Sequence, residues 1–568
     1  MLSSKKIKFY GSQVGGSDTT PHSYTGSPFT LLQQDIMSAF QFILFLPSIV
    51  FPLTPLRSGA LCELYPSLAN LYDMFLHGIL IGMQVPFILS MPFWILLPVW
   101  WVVIAVIVFI VLNESICYLL NGKDMEIRSS AQFAEESGHE HEQWVFLNGV
   151  AVGRNWLQNN VDRLALTFGR PVLGVHNKTN GIVFDVLQCL IQRNFTYATQ
   201  DVRDCYQIVK STLYQPHLTK VVFILHSQGG IEGGLIIDWL LQEVPQDLLA
   251  KLEVYTFGNA ANHFNNPHLH LLSQHAALRH PTVPATTKTT TTVHYHNPIV
   301  DPHAQPLPSL KNTNGATNGN GTTLIPPTTR SKTSRQESTS GKTIRYIEHY
   351  AHTSDFVARW GVLHFTTNFS LSPTAPRFMG RVFERAGQGH QMNQHYLDSM
   401  FPLKPVPAPV APPRALLSSL AFWRSAPPRG GIGNSGFMGC DDDTSNEFMD
   451  SLLELGTDDD AAAQNDEREG LEMSYLGAHG EPLDGTETEV LLRDMSPISP
   501  RTFKKFGMGL TPVEKEIGGR ERAMAGDGGR EARMRIRVKD LSRLWLYRNG
   551  RSPKVDETDA GIMRMATV

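Results

Sequence analysis

From residue 144 onward, short apolar runs alternate with longer stretches whose apolar positions recur every three or four residues. The runs at 144–147, 171–175, 221–225 and 252–257 predict strands, and two weaker runs, 344–347 and 378–383, predict two more. Between them, 156–168 sets Leu157, Val161, Leu164 and Phe168 on one helical face, and 182–191, 200–213 and 231–241 predict further helices. The run Val-Val-Phe-Ile-Leu at 221–225 has no polar face, as befits a strand covered on both sides. Strands and helices in alternation predict an α/β domain over residues 143–403, with a mostly parallel sheet and flanking helices.

The N-terminal part has a different pattern. No residue from His77 to Asn113 carries a full charge, and residues 93–112 are apolar throughout. About 20 such residues cross a hydrocarbon layer of about 30 Å as a helix. We therefore expect a membrane region at 31–122 with its main span at 93–112, where Trp94, Trp100 and Trp101 are suited to an interface. Residues 76–91 fit a second span, a re-entrant piece or an in-plane segment, because Pro86, Pro92 and Pro98 interrupt the run. Residues 36–53, broken by Pro47 and Pro52, read as an interfacial segment or weak span. Polar residues separate Lys5, Lys6 and Lys8 from the first apolar run, which is not the layout of a secretory signal. Too few Lys and Arg flank the main span to set its orientation, and the pattern does not say which membrane it meets.

The remaining stretches are poor in core-forming residues. Residues 1–30 read as a polar disordered tail and 123–142 as a charged connector. Residues 265–343, with a threonine run and Asn-Gly pairs, read as a disordered insertion, which is tolerated because loop-closure entropy grows only logarithmically with length. Residues 404–529 read as a disordered low-complexity tail. At 530–551 a short basic amphipathic segment alternates Met534, Ile536 and Val538 with Arg and Lys; it fits an anionic membrane, the α/β domain or plain solvent. Across 568 residues the net charge is only −4 and no basic stripe appears, so nucleic acid is not an expected partner. Five scattered cysteines, with no C-x-x-C, suggest neither a disulfide framework nor zinc.

The chemistry concentrates at Leu225-His226-Ser227-Gln228-Gly229-Gly230, between the apolar strand and an amphipathic helix. A serine there sits on a sharp strand-to-helix turn that lifts its hydroxyl above the sheet edge, with the Gln228 N–H near the positive end of the helix. Here the chain resembles the serine lipase and esterase branch of the α/β-hydrolase family, and a group of fungal membrane-tethered members whose elbow reads HSQGG. One departure stands out. The usual G-x-S-x-G has a small residue where this chain has Leu225, so either the elbow is looser or its neighbours are unusually small.

The resemblance implies an acid and a base arriving in the chain order Ser, Asp, His. Asp355, in Asp355-Phe356-Val357, matches the family's Asp-x-Val-like step; its alternative role is to cap the turn that begins at Phe356. His390, ending the loop Gly387-Gln388-Gly389 after the last strand, is the implied base, with His395 as runner-up. His226 is expected to face a neighbouring element. Asn148-Gly149-Val150 occupies the slot where lipases often show His-Gly, which makes the N–H of Val150 or Gly149 the second oxyanion donor.

Weaker features surround these. His139-Glu140-His141 lacks a third ligand, so no metal is expected, and no cofactor motif is present. The turn 257–262 is either site-lining or simply ends a strand, and Asn177 and Asn194 head glycosylation sequons. The implied function is a membrane-tethered serine hydrolase, cleaving an ester of a lipid or other apolar acyl substrate. Its rival is an inactive scaffold of the same fold that binds a partner at a membrane. A transporter fits poorly, since only Gln84 and Ser90 are polar between Ile79 and Leu112.

Overall fold

A computed structural model describes residues 7–10, 27–130, 138–267, 343–344, 346–367, 378–405, 437–442, 446–455 and 537–553. The chain opens with β1 (Ile7–Tyr10) and α1 (Pro28–Gln41), followed by two long apolar helices, α2 (Leu68–Ser90) and α3 (Val99–Asn121). Then come β2 (Glu126–Arg128), β3 (Glu142–Leu147), α4 (Arg154–Phe168), β4 (Val172–Val175), α5 (Ile182–Phe195) and α6 (Gln200–Leu213). The central pair is β5 (Lys220–His226) and α7 (Gln228–Glu243), after which β6 (Leu252–Phe257), β7 (Tyr346–His352) and β8 (Arg381–Arg385) complete the run. Short strands β9 (Leu403–Pro405), β10 (Phe437–Cys440) and β11 (Leu453–Leu455) follow.

Among the described residues nine strands form one sheet in the order β11-β1-β8-β7-β6-β5-β3-β4-β2. The six from β8 to β4 are parallel, and β1 and β2 run antiparallel to their neighbours β8 and β4. The protein is thus mixed α/β with a mostly parallel sheet and helices on both faces. Side chains alternate between faces along each strand. Trp144, Phe146, Val222 and Ile224 join α4 on one face, while Val145, Leu147, Val221, Phe223 and Leu225 join α6 and α7 on the other.

The chain leaves β3 for β4 on one side and returns to β5 on the other, so the order reverses between β3 and β5. In open parallel sheets the crevice outside the carboxyl ends at such a reversal is where ligands bind. Both Asn148-Gly149-Val150 and Ser227 sit there.

Several expected boundaries shift. Ile7–Tyr10, placed by sequence in a disordered tail, is a strand against β8, and Glu126–Arg128 in the charged connector is an edge strand on β4. Both are too short and too charged to register as apolar runs. The second apolar helix begins at Val99, not residue 93, because Pro98 sets its start, and it runs on to Asn121. It and the stretch Leu68–Leu96 are each long and apolar enough to cross a membrane. Strand β8 starts three residues later than the expected 378, and Phe378 instead pairs with Phe264 in an isolated bridge.

Residues 268–342 of the insertion lie outside the described residues, but its two ends are clasped together. Asn266 Nδ2 donates to the Ile344 carbonyl at 2.7 Å, and Ile344 N–H donates to Asn266 Oδ1 at 2.9 Å. Of the 404–529 tail, 404–405, 437–442 and 446–455 are described and structured. Of 530–551, the part from 537 docks on the α/β domain. Arg543 Nε meets Glu253 at 2.8 Å, Tyr547 donates to Glu253 at 2.7 Å, and the Arg543 N–H donates to Glu348 at 3.0 Å. These carboxylates lie near the amino ends of β6 and β7, away from Ser227.

Candidate active site

Strand β5 is wholly buried and ends at His226, so the next residue emerges at the centre of the sheet's carboxyl edge. Ser227 takes φ 57° and ψ −120°, a conformation that costs a non-glycine residue energy and that a sharp strand-to-helix turn requires. Hydrogen bonds on both sides hold it. Ser227 N–H donates to the Phe257 carbonyl at 3.1 Å, and its own carbonyl accepts from Gly230 and Ala260 at 3.0 and 3.1 Å.

Leu225 does not loosen this elbow. Its side chain points into α7 at Gly233, where a methyl group would fall 2.3 Å from Leu225 Cδ1. The small residue has moved from the strand to the helix that faces it. Gly229 permits a similar approach, since a methyl there would fall 2.5 Å from the Leu147 carbonyl oxygen.

His390 reaches back over the edge to the serine. Its Nε2 lies 2.9 Å from Ser227 Oγ and its Nδ1 lies 2.8 Å from Asp355 Oδ2. With a carboxylate at Nδ1, the ring carries its proton there and leaves Nε2 to accept from the serine hydroxyl. Asp355 fills both roles considered for it, one with each oxygen. Oδ1 caps the following turn by accepting from Val357 N–H at 2.8 Å, while Oδ2 faces His390. His395, the runner-up base, is committed elsewhere: Nδ1 accepts from Gln391 N–H at 2.9 Å and Nε2 donates to the Pro52 carbonyl at 2.7 Å.

The loop after β3 passes against Ser227. A methyl at Gly149 would fall 2.5 Å from Ser227 Cβ and 3.1 Å from Oγ. Asn148 fixes this loop by donating to the carbonyls of Gly149 at 3.0 Å and Asn177 at 2.9 Å. In a trans peptide the carbonyl and the next N–H point in opposite directions. With the Gly149 carbonyl held toward Asn148, the Val150 N–H points away from it, which favours Val150 over Gly149 as donor. Neither the Val150 nor the Gln228 N–H has an acceptor among the described residues.

No protein-family profile, curated protein or solved structure matches the chain.

Tyr396 and His352, which the sequence did not single out, and His226, which was expected to face a neighbouring element, support this arrangement. Tyr396 donates to Asp355 Oδ2 at 2.6 Å and accepts from His352 N–H at 3.3 Å. Burial alone would raise the Asp355 carboxyl. The facing His390 ring and the His390 and Tyr396 hydrogen bonds outweigh it and hold the group below the usual carboxylate range. His226 stacks on His390 with ring centroids 4.8 Å apart and donates from Nε2 to the His390 carbonyl at 2.8 Å. His352 Nδ1 donates likewise to the Gly389 carbonyl at 2.9 Å. Burial first, then the facing His390 ring, lowers the His226 pKa to about 3, and burial lowers that of His352 to about 4. Both rings are therefore neutral near pH 7 and serve as fixed struts for the His390 loop.

The turn after β6 backs the site rather than lining it. Gly258 has φ +54°, and a methyl there would fall 2.8 Å from His390 Nδ1 and 2.9 Å from Asp355 Oδ2. Only glycine suits that backbone and that gap. A buried chain runs from Gln228 through Gln192 Oε1 at 2.9 Å to Glu232, which accepts from Gln192 Nε2 at 3.1 Å. Burial pushes the Glu232 carboxyl well above its usual range. Both sequon asparagines are buried, and Asn194 donates its amide to Asp35 at 2.7 Å.

Proposed function

We propose that this chain is a serine hydrolase of the α/β-hydrolase type, held at a membrane and cleaving an ester of a lipid or other apolar acyl compound. The observation that carries the reading is the continuous hydrogen-bonded line from Ser227 Oγ through His390 to the buried Asp355. Ser227 attacks the ester carbonyl carbon while His390 Nε2 takes the hydroxyl proton. The carbonyl electron pair moves onto oxygen, where the N–H groups of Gln228 and Val150 receive the charge. His390 then passes its proton to the leaving alkoxide as the C–O bond breaks, leaving an acyl-serine. Water, deprotonated by His390, attacks that acyl group, and the returning proton restores the Ser227 hydroxyl. Asp355 fixes the ring's tautomer and steadies its positive form throughout. The two helices long and apolar enough to cross a membrane support a lipid or other apolar substrate, since a tethered site meets membrane-soluble esters.

A crowded elbow at Leu225 would have favoured the rival reading, an inactive scaffold, but the leucine packs into the space left by Gly233. A fluorophosphonate probe separates the two. Labelling of the full chain that disappears in Ser227→Ala and falls sharply in His390→Ala is the expected result. Folded wild-type protein that takes no label overturns the proposal.

A further inference from the structure

We infer that α2 and α3 form one re-entrant hairpin inserted from the side of the catalytic domain, with a tip that passes the bilayer midplane and stops short of the far interface. This rests on the membrane-held part of the proposed function. The helices run antiparallel: Gln84 Nε2 donates to Asn113 Oδ1 at 2.8 Å, and Phe87 stacks on Phe109 with centroids 3.7 Å apart. Their feet belong to the catalytic domain. Asn155 of α4 donates to Asn70 and Asp73 at 3.1 and 3.0 Å, His77 stacks on Trp156, and Asn121 exchanges hydrogen bonds with Thr179. Gln84 donates in addition to the Asn180 carbonyl at 2.7 Å. The buried residues of both helices lie only in these feet, at 70–84 and 113–121.

Past the last buried positions lie residues 85–112, near whose base Phe109 still meets Phe184 of α5. One leg is the end of α2 plus the 3₁₀ turns Met91–Leu96, and the other is the first fourteen residues of α3. At about 1.5 Å per α-helical and 2.0 Å per 3₁₀ residue, each leg extends roughly 21 Å. The hydrocarbon layer is about 30 Å thick. The tip is also unsuited to water on a far side. From Met91 to Trp101 every residue is apolar, and Ile95 is 89 % exposed. Pro92 and Pro98 have no N–H to leave unsatisfied in lipid, and the Leu97 N–H is donated to the Trp94 carbonyl at 3.0 Å.

An apolar collar surrounds the hairpin's foot. Val186, Leu187 and Ile191 of α5 are exposed, and α5 touches the hairpin through Phe184 and Phe109 and α1 through Phe195 and Phe29. Phe40, Leu44 and Phe51 extend this surface. The Thr179–Asn180 foothold follows β4 at the same sheet edge as Ser227. The collar therefore sets that edge against one leaflet, from which an acyl ester reaches the serine without crossing water.

The test uses the full chain with Ile95→Cys, the five native cysteines being buried. The new thiol is tagged with a nitrobenzoxadiazole dye before reconstitution into sealed phosphatidylcholine vesicles, with Lys123→Cys at the hairpin's foot as reference. We expect dithionite to bleach the dye at 123 from one side only and the dye at 95 from neither side, inside or out. Lipids with a mid-chain doxyl group should quench the dye at 95. Bleaching at 95 from the side opposite to 123 shows a crossing tip and overturns the inference, and bleaching from the same side shows a tip that never enters. A chain that does not float with vesicles overturns the membrane-held reading itself. Loss of esterase activity with flotation and protection intact bears on the catalytic reading alone.

Discussion

Replacing Gly149 with alanine adds one methyl group where the structure leaves no room for it. The methyl would meet Ser227 Cβ at 2.5 Å, the His226 carbonyl oxygen at 2.9 Å and Ser227 Oγ at 3.1 Å. Carbon atoms pack at about 3.5–4.0 Å, so something must move by roughly 1 Å. The two groups it meets are poorly placed to yield, because His226 ends a buried central strand and Ser227 is tied by three backbone hydrogen bonds. The 148–150 loop must therefore retreat, taking the Val150 N–H with it. A shift near 1 Å at a reacting centre costs about 100-fold in rate, and loss of one oxyanion donor costs about 100- to 1000-fold. Overpacking should lower stability by only about 1–3 kcal/mol, leaving the protein folded. The assay is hydrolysis of a short-chain nitrophenyl ester beside thermal unfolding, with Gly82→Ala as control because its methyl meets nothing within 4 Å. We expect kcat/KM to fall at least about 100-fold through kcat, with the control unchanged. Full activity in a folded Gly149→Ala protein refutes the placement of this loop at the nucleophile.

Three further outcomes follow from the same geometry. Tyr396→Phe removes one donor from Asp355 and should cost about 1.5–3 kcal/mol at pH 7 in urea unfolding. Because the folded Asp355 carboxyl titrates below its unfolded value, that stabilisation is present above pH ~4 and fades as pH falls through the folded value, so a gap that does not narrow at pH 3 contradicts the assignment. Glu232 is shifted the other way by burial, so its contribution is complete below about pH 4.5 and is lost as pH rises toward the folded value. Glu232→Gln should match wild type in melting temperature at pH 4.5 and exceed it at pH 8; an equal effect at both would show that the carboxyl ionises normally. Leu225→Ala should cost about 2–5 kcal/mol and Gly233→Ala about 1–3. The double variant should lose less than the sum, and strict additivity would mean that the two side chains do not share the space.

The parts legible in the sequence were those carried by local pattern. The apolar run ahead of Ser227 predicted a covered strand, and β5 is buried along its whole length. The glycine loop predicted a flexible approach for His390, which stands 2.9 Å from the serine oxygen. Illegible parts depend on partners distant in sequence. Nothing near Leu225 announces that Gly233 is its counterpart until strand and helix are packed together. Nothing around Tyr396 shows that it reaches Asp355, 41 positions away, while its neighbour His395 turns to Pro52. Four-residue β1 carries two lysine-adjacent apolar positions, too little period-two signal to separate a strand from a tail; only pairing with β8 defines it.

The same reasoning explains why so many charges are buried far from the chemistry. Glu142, Glu253 and Glu348 lie on β3, β6 and β7 beneath the segment that begins at residue 537. Arg170 meets Glu142 at 2.7 Å and donates to the Tyr547 carbonyl at 2.9 Å, while Arg543 meets Glu253. A buried carboxylate stripped of its partner costs several kcal/mol, whereas a satisfied one adds little net stability but admits only one arrangement. These ions therefore act mainly by selection: an apolar segment would adhere to this face in many registers, while Arg543, Tyr547 and the Arg543 N–H meet Glu253 and Glu348 in only one. A low-complexity stretch intervenes before residue 537, so the segment must find its seat from far along the chain, and charge matching supplies the register that sequence proximity does not.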